Sequence, residues 1–186
     1  MRMRERLRAA TADIHEALHG AGPFARIADG GMDARGYAAL LHMLFRYHAA
    51  MAPACAQAAI RLDAPQLAEA QRRRLEDLRA DLSAFGEAVP VPELLPPRGD
   101  DFAVGALYTV LGSTLGGKVI HRQLDALLPD DEGRHFFKGH AGDGAHWRLF
   151  CDRLENADLD RVQVEAGAAY AFARFQAMLQ EEPATT

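Results

Sequence analysis

Two side chains near the start of the chain could act together. His15 follows Arg8 by seven residues in a segment that reads as one helix over residues 3–19. Seven residues are two helical turns, a rise of about 10 Å. On a wheel with Leu7 at the origin, Ile14 and Leu18 fall within about 20° and define a buried stripe. Thr11, Arg4, His15 and Arg8 follow at roughly 40°, 60°, 80° and 100°, along one flank of that stripe. A neutral imidazole ligates iron, and a guanidinium about 10 Å away pairs with a carboxylate. The pair therefore suits a flat, iron-bearing, acidic ligand lying along the helix, such as a haem. It also suits a histidine at an apolar boundary with an ordinary hydrogen bond, and the helix alone favours that plainer reading.

A second segment raises a different question. Gly105, Gly112, Gly116 and Gly117 fall inside a helix that begins at Asp100 and Asp101. Four glycines cost a helix about 3–4 kcal/mol relative to alanines. On the wheel Gly105, Gly112 and Gly116 lie within about 40° of one another, with Thr109 beside them and Ser113 further round. One bare groove is expected. Close helix packing would use it, since Gly112 and Gly116 form a GxxxG pair. Close approach of backbone to a flat ligand would use it too, and the consecutive Gly116 and Gly117 point to a bend.

The elements that must position these groups are all helical. The first stops at Gly20, Gly22 and Pro23. A second runs from an Asp33 cap to about Met51, with Tyr37, Leu40, Leu41, Leu44 and Phe45 buried and Pro53 kinking or restarting it. A third opens at Asp63 and Pro65 and ends at Phe85–Gly86. Residues 87–99, with four prolines, form a long loop. After the glycine helix come a short segment over 130–138, a helix holding Trp147 and Phe150, and a last helix from about Asp158 to Gln180. No strand is expected. The fold class is all-α, one multi-helix domain over 1–180 with a loose tail at 181–186.

Composition narrows the function classes. With 186 residues and 49% hydrophobic content, the chain can bury a core without disulfides. A net charge of −5 argues against nucleic acid or an anionic membrane as partner. No apolar run is read as long enough to span a bilayer. Cys55 and Cys151 form no CxxC pattern and read as free thiols, so the expected setting is the cytoplasm.

Together the two segments resemble the haem oxygenase family. Leu7-Arg8-Ala9-Ala10-Thr11-Ala12-Asp13-Ile14-His15-Glu16 looks like the proximal helix. Tyr108-Thr109-Val110-Leu111-Gly112-Ser113-Thr114-Leu115-Gly116-Gly117 looks like the glycine-rich distal helix, and the separation of about 100 residues fits. Phe136-Phe137-Lys138-Gly139 followed by Trp147-Arg148-Leu149-Phe150 is similar to a segment of bacterial members. The resemblance implies an enzyme that opens haem with O2 to biliverdin, CO and iron, with haem between the two helices. It makes His15 the iron ligand and lines the oxygen side with Gly112, Ser113, Gly116 and Gly117. Arg8 and Lys118 become propionate partners, Thr11 lies beside the haem, and Phe172 and Phe175 close one edge. Lys118 sits away from the glycine groove on the wheel.

Mammalian-type members carry an aspartate where this chain has Ser113, which can hydrogen-bond but holds no charge. A histidine ligand donates less electron density to iron than a thiolate, and glycine backbone offers no acid–base pair to split O–O. Oxygen would then be directed at the macrocycle itself. Electrons must come from outside, from a ferredoxin or a reductase, because no nucleotide loop or flavin motif is present.

Three other readings remain. A haem carrier or sensor would use the same pocket without turnover. A di-iron carboxylate site would use Glu16/His19 and Glu132/His135. A vitamin-metabolising enzyme on a similar scaffold would need an activated cysteine, and neither cysteine has an activating neighbour in sequence. His42 and His48 read as boundary or surface residues, and Arg72-Arg73-Arg74 as a solvated helix face.

Overall fold

In the computed structural model the described residues are 2–19, 22–93, 95 and 98–181, and among them every regular element is a helix. The order is α1 (Met3–His19), α2 (Gly22–Ala28), α3 (Ala34–Arg61), α4 (Pro65–Ala84), α5 (Asp100–Gly112), a 3-10 turn (Ser113–Gly116), α6 (Gly117–Gln123), α7 (His135–Lys138), α8 (Asp143–Asn156) and α9 (Arg161–Glu181). The expected tail at 181–186 lies outside the described residues beyond Glu181.

Local chemistry explains most boundaries. The Asp33 carboxylate accepts the Gly36 N–H at 2.7 Å and starts α3. Pro65 opens α4, where its missing N–H costs nothing, and Gly86 at φ 69° follows its end. Pro53 does not end α3, contrary to the expected stop near Met51. Around it Ala50, Met51, Cys55, Ala58 and Ala59 are buried, and that packing offsets one lost backbone hydrogen bond. Short α2, not expected from the sequence, uses Pro23 in its first turn, where proline is tolerated.

The stretch Asp100–Gln123 reaches the length and hydropathy of a membrane span, correcting the expectation that none does. Half of its most apolar window is buried inside the domain, and α5 packs between α3 and α9 as a core helix. Two glycines let α5 and α9 approach closely. A Cβ on Gly105 would fall 1.9 Å from the Val164 carbonyl oxygen, and one on Gly167 would fall 1.9 Å from that of Phe102. Thr109 donates to the Ala168 carbonyl at 3.2 Å along the same seam. Gly105 and Thr109 therefore belong to helix packing against α9.

A 3-10 turn over Ser113–Gly116 interrupts the glycine helix and ends at the Gly116–Gly117 pair. It advances about 120° per residue rather than about 100°, so four residues shift the wheel by roughly 80°. Positions beyond Gly112, Lys118 among them, do not lie where a continuous wheel puts them.

Candidate active site

The site begins where α1 meets α5. Leu7 is fully buried and Thr11 nearly so, with the Thr11 hydroxyl donating to the Leu7 carbonyl at 2.8 Å. Thr11 and Arg8 both act on Tyr108 of α5. Burial raises the Tyr108 hydroxyl above its ordinary range and Cys151 adds to this, while Thr11, Arg8 and Arg4 oppose it. From that shared contact, His15 lies one turn beyond Thr11 and Gly112 one turn beyond Tyr108.

His15 is exposed at the edge of α1, with the Phe172 ring of α9 edge-on at 6.2 Å. Phe175, one turn along α9, stacks on Phe24 of α2 at 6.2 Å and meets Tyr47 of α3 edge-on at 4.9 Å. The expected aromatic pair therefore divides its contacts: Phe172 is at His15, and Phe175 joins α9 to α2 and α3.

The three glycines of the expected groove, and Gly117 beside them, have different surroundings. Gly105 is packed as described. A Cβ at Gly112 would touch only the Trp147 ring, at 3.8 Å, and one at Gly116 would meet no heavy atom within 4 Å. At Gly117 it would come within 3.0 Å of the Phe137 carbonyl oxygen. No neighbouring backbone would lie within 4 Å of a Cβ at Gly112 or Gly116 as it would at Gly105, and open space lies beside Gly116. Ser113 is exposed and its hydroxyl donates to the Val110 carbonyl at 2.8 Å, so in this rotamer it can only accept further bonds.

These residues fit a haem. An exposed imidazole is present, bare backbone faces open space at Gly116, and Leu115 and Val119 on the adjoining turns are about half exposed. Arg8 and Lys118 are exposed cations with no carboxylate partner among the described residues. A separate cavity of about 280 Å³ between α3, α5 and Tyr170 is lined by none of the expected site residues.

A family model then decides the matter: the Heme oxygenase model matches residues 1–181. The chain belongs to the haem oxygenase family. It is an enzyme of haem degradation. A Heme oxygenase of Xanthomonas campestris pv. campestris (strain 8004) is 38% identical over 118 residues, covering 60% of this chain and 70% of that protein. The fold is shared with the NO- and CO-bound heme oxygenase of Neisseria meningitidis, at TM-score 0.82 and 24% identity over 100% of this chain and 96% of that one. It is shared also with heme oxygenase-1 of the cyanobacterium Synechocystis sp. PCC6803 in complex with heme, at TM-score 0.75 and 18% identity over 97% and 92% of the two chains.

Beside the 3-10 turn of this haem oxygenase lies a polar cluster that sequence patterns did not reveal. Arg74 is 3% exposed, not solvated like Arg72 and Arg73, and its guanidinium reaches Asp143 at 3.3 Å and covers the Phe136 ring. His48, expected near the surface, is 1% exposed and accepts a hydrogen bond from Gln71. Burial, Arg74 and Gln71 act on His48 in that order; the first two lower its pKa, the last opposes, and it falls to about 3. A lone arginine in a charged run carries no signal of this kind; only the partner on α8 distinguishes it. No three His, Cys, Asp or Glu side chains gather as a metal site among the described residues, and Glu16 of the di-iron reading is exposed.

Proposed function

We propose that this haem oxygenase holds its substrate between α1 and the 3-10 turn, with His15 as the iron ligand. The observation that carries the assignment is the exposed His15 imidazole on α1, one turn beyond the Thr11–Tyr108 contact, together with the open backbone at Gly116. Haem supplies the iron that binds and activates O2, and the macrocycle that is opened.

The chain's own residues hold and orient. Arg8 and Lys118 meet the propionates by charge-assisted hydrogen bonds. Phe172 restricts the His15 ring and closes one edge, and Phe175 braces α9 against α2 and α3 behind it. Gly112 and Gly116 let the distal backbone approach where a side chain would intervene. Thr11 ties α1 to α5 and so fixes the height of His15. Ser113, its proton committed to Val110, offers only an acceptor on that side. The products are biliverdin, CO and free iron, and a ferredoxin or reductase supplies electrons. The thiols of Cys55 and Cys151 are unpaired, which supports a reducing, cytoplasmic setting.

The test is a single turnover: reconstitute with haem, add ascorbate or a ferredoxin system in air, and follow the spectrum. Loss of the Soret band with growth of biliverdin absorption is expected. A stable Soret band under those conditions refutes the proposal and supports a carrier.

A further inference from the structure

Gly117 opens α6 directly after the distal turn, and its backbone rests on the Phe137 carbonyl of α7. That support is a single turn, His135–Lys138, far too short to be stable alone. It is held between α4 and α6, and α4 supplies a buried carboxylate. Asp81, with no exposed surface, accepts the His135 N–H at 2.8 Å, the Phe136 N–H at 2.9 Å and a bond from His135 Nδ1 at 2.8 Å. A buried carboxylate on the first N–H groups of a helix is favourably placed for both their hydrogen bonds and the helix dipole. On the other flank Arg134, 5% exposed, donates to the His121 carbonyl of α6 at 2.9 Å and to the Asp130 carbonyl at 2.7 Å. The Tyr37 hydroxyl donates to the Gly133 carbonyl at 3.0 Å. Phe136 and Phe137 are buried beneath the turn.

α7 is therefore a wedge between α4 and the distal helix, and Asp81 fixes its seat. We infer that Asp81 is a positioning residue, acting through α7 and the Phe137 carbonyl to set how closely the turn over residues 113–117 approaches bound haem, and so which macrocycle edge is opened. The inference rests on the proposed haem site. Asp81 itself touches none of the residues assigned to haem.

The test pushes the same contact from both sides. Asp81→Asn keeps the side-chain shape but turns an N–H toward α7 donors that the carboxylate accepted. Gly117→Ala places a methyl 3.0 Å from the Phe137 oxygen. Each protein is loaded with haem. Three quantities are read: the biliverdin isomer ratio, the C–O stretch of the ferrous CO complex, and the melting temperature. Asp81→Asn is expected to keep the Soret band while changing the isomer ratio by roughly fivefold and shifting the C–O stretch. The double variant should change the ratio by less than the product of the single effects, because both act through the same short helix α7. A lowered melting temperature with wild-type isomer ratio and C–O stretch overturns the inference, since Asp81 would then be merely structural. If Asp81→Asn does not fold, Gly117→Ala carries the test, and a wild-type C–O stretch in that variant overturns it. If wild type itself fails to turn over, the functional reading fails, while the C–O stretch still decides the positioning role.

Discussion

Gly105 and Gly116 stand on one run of sequence, yet replacing each with alanine should have opposite consequences. At Gly105 the new Cβ would lie 1.9 Å from the Val164 oxygen and 2.8 Å from the Ala168 nitrogen, both backbone atoms that cannot swing aside. Real Cβ contacts essentially never fall below 3.0 Å, so α5 and α9 must part by at least 3.0 minus 1.9, or 1.1 Å. That also opens the reciprocal Gly167–Phe102 contact and the packing of Ala168 and Ala171. Overpacking of this kind costs about 3 kcal/mol, and the better helix propensity of alanine returns about 1 kcal/mol. The net loss is about 2 kcal/mol, a fall in melting temperature of roughly 4–8 °C for a chain of this size. Gly116→Ala meets nothing within 4 Å, so its stability should match or slightly exceed wild type while its methyl intrudes on the proposed haem site. Thermal melts by circular dichroism without haem, together with haem titration, separate the two. Equal melting temperatures in Gly105→Ala and Gly116→Ala, or unchanged haem affinity and turnover in Gly116→Ala, would refute the division of the glycines into packing and site.

Two further outcomes follow from named contacts. Arg8→Ala should weaken haem binding by roughly tenfold at low salt and by less at high salt, because the lost bond is charge-assisted and solvent-exposed; a salt-independent loss would point elsewhere. His48 has its pKa lowered from 6.5 to about 3 on folding. The unfolded chain thus binds this proton more readily, so its contribution to stability is intact above pH 6.5 and declines as pH falls toward 3. Between pH 7 and pH 5 the loss from this group is about 2 kcal/mol. In urea melts His48→Phe should lack that part of the acid sensitivity, and an unchanged pH slope in the variant would contradict it.

Much of this architecture is legible in the sequence because its signals are local. Asp33, Pro65 and Gly86 punctuate helices through their own backbone chemistry, and periodic apolar residues mark the buried faces. The family itself was legible through the resemblance of the segments around His15 and Gly112–Gly117, and the family model over residues 1–181 agrees. What escaped depends on partners distant in sequence. Gly105 looks like Gly116 until α9 is placed against it. Arg74 looks like Arg73 until Asp143 approaches. Asp81 gives no signal until α7 is set on it. Lys118 was misplaced for a different reason: a 3-10 turn rotates everything after Gly112, and no wheel built on one period shows that.

The central claim is that His15 ligates the iron of the haem this enzyme degrades. Haem titration of wild type and His15→Ala, followed by electron paramagnetic resonance of the ferric complexes, tests it most directly. Wild type should show a histidine-ligated spectrum that His15→Ala loses and added imidazole restores. A His15→Ala protein that keeps the wild-type Soret band and histidine signature would contradict the account.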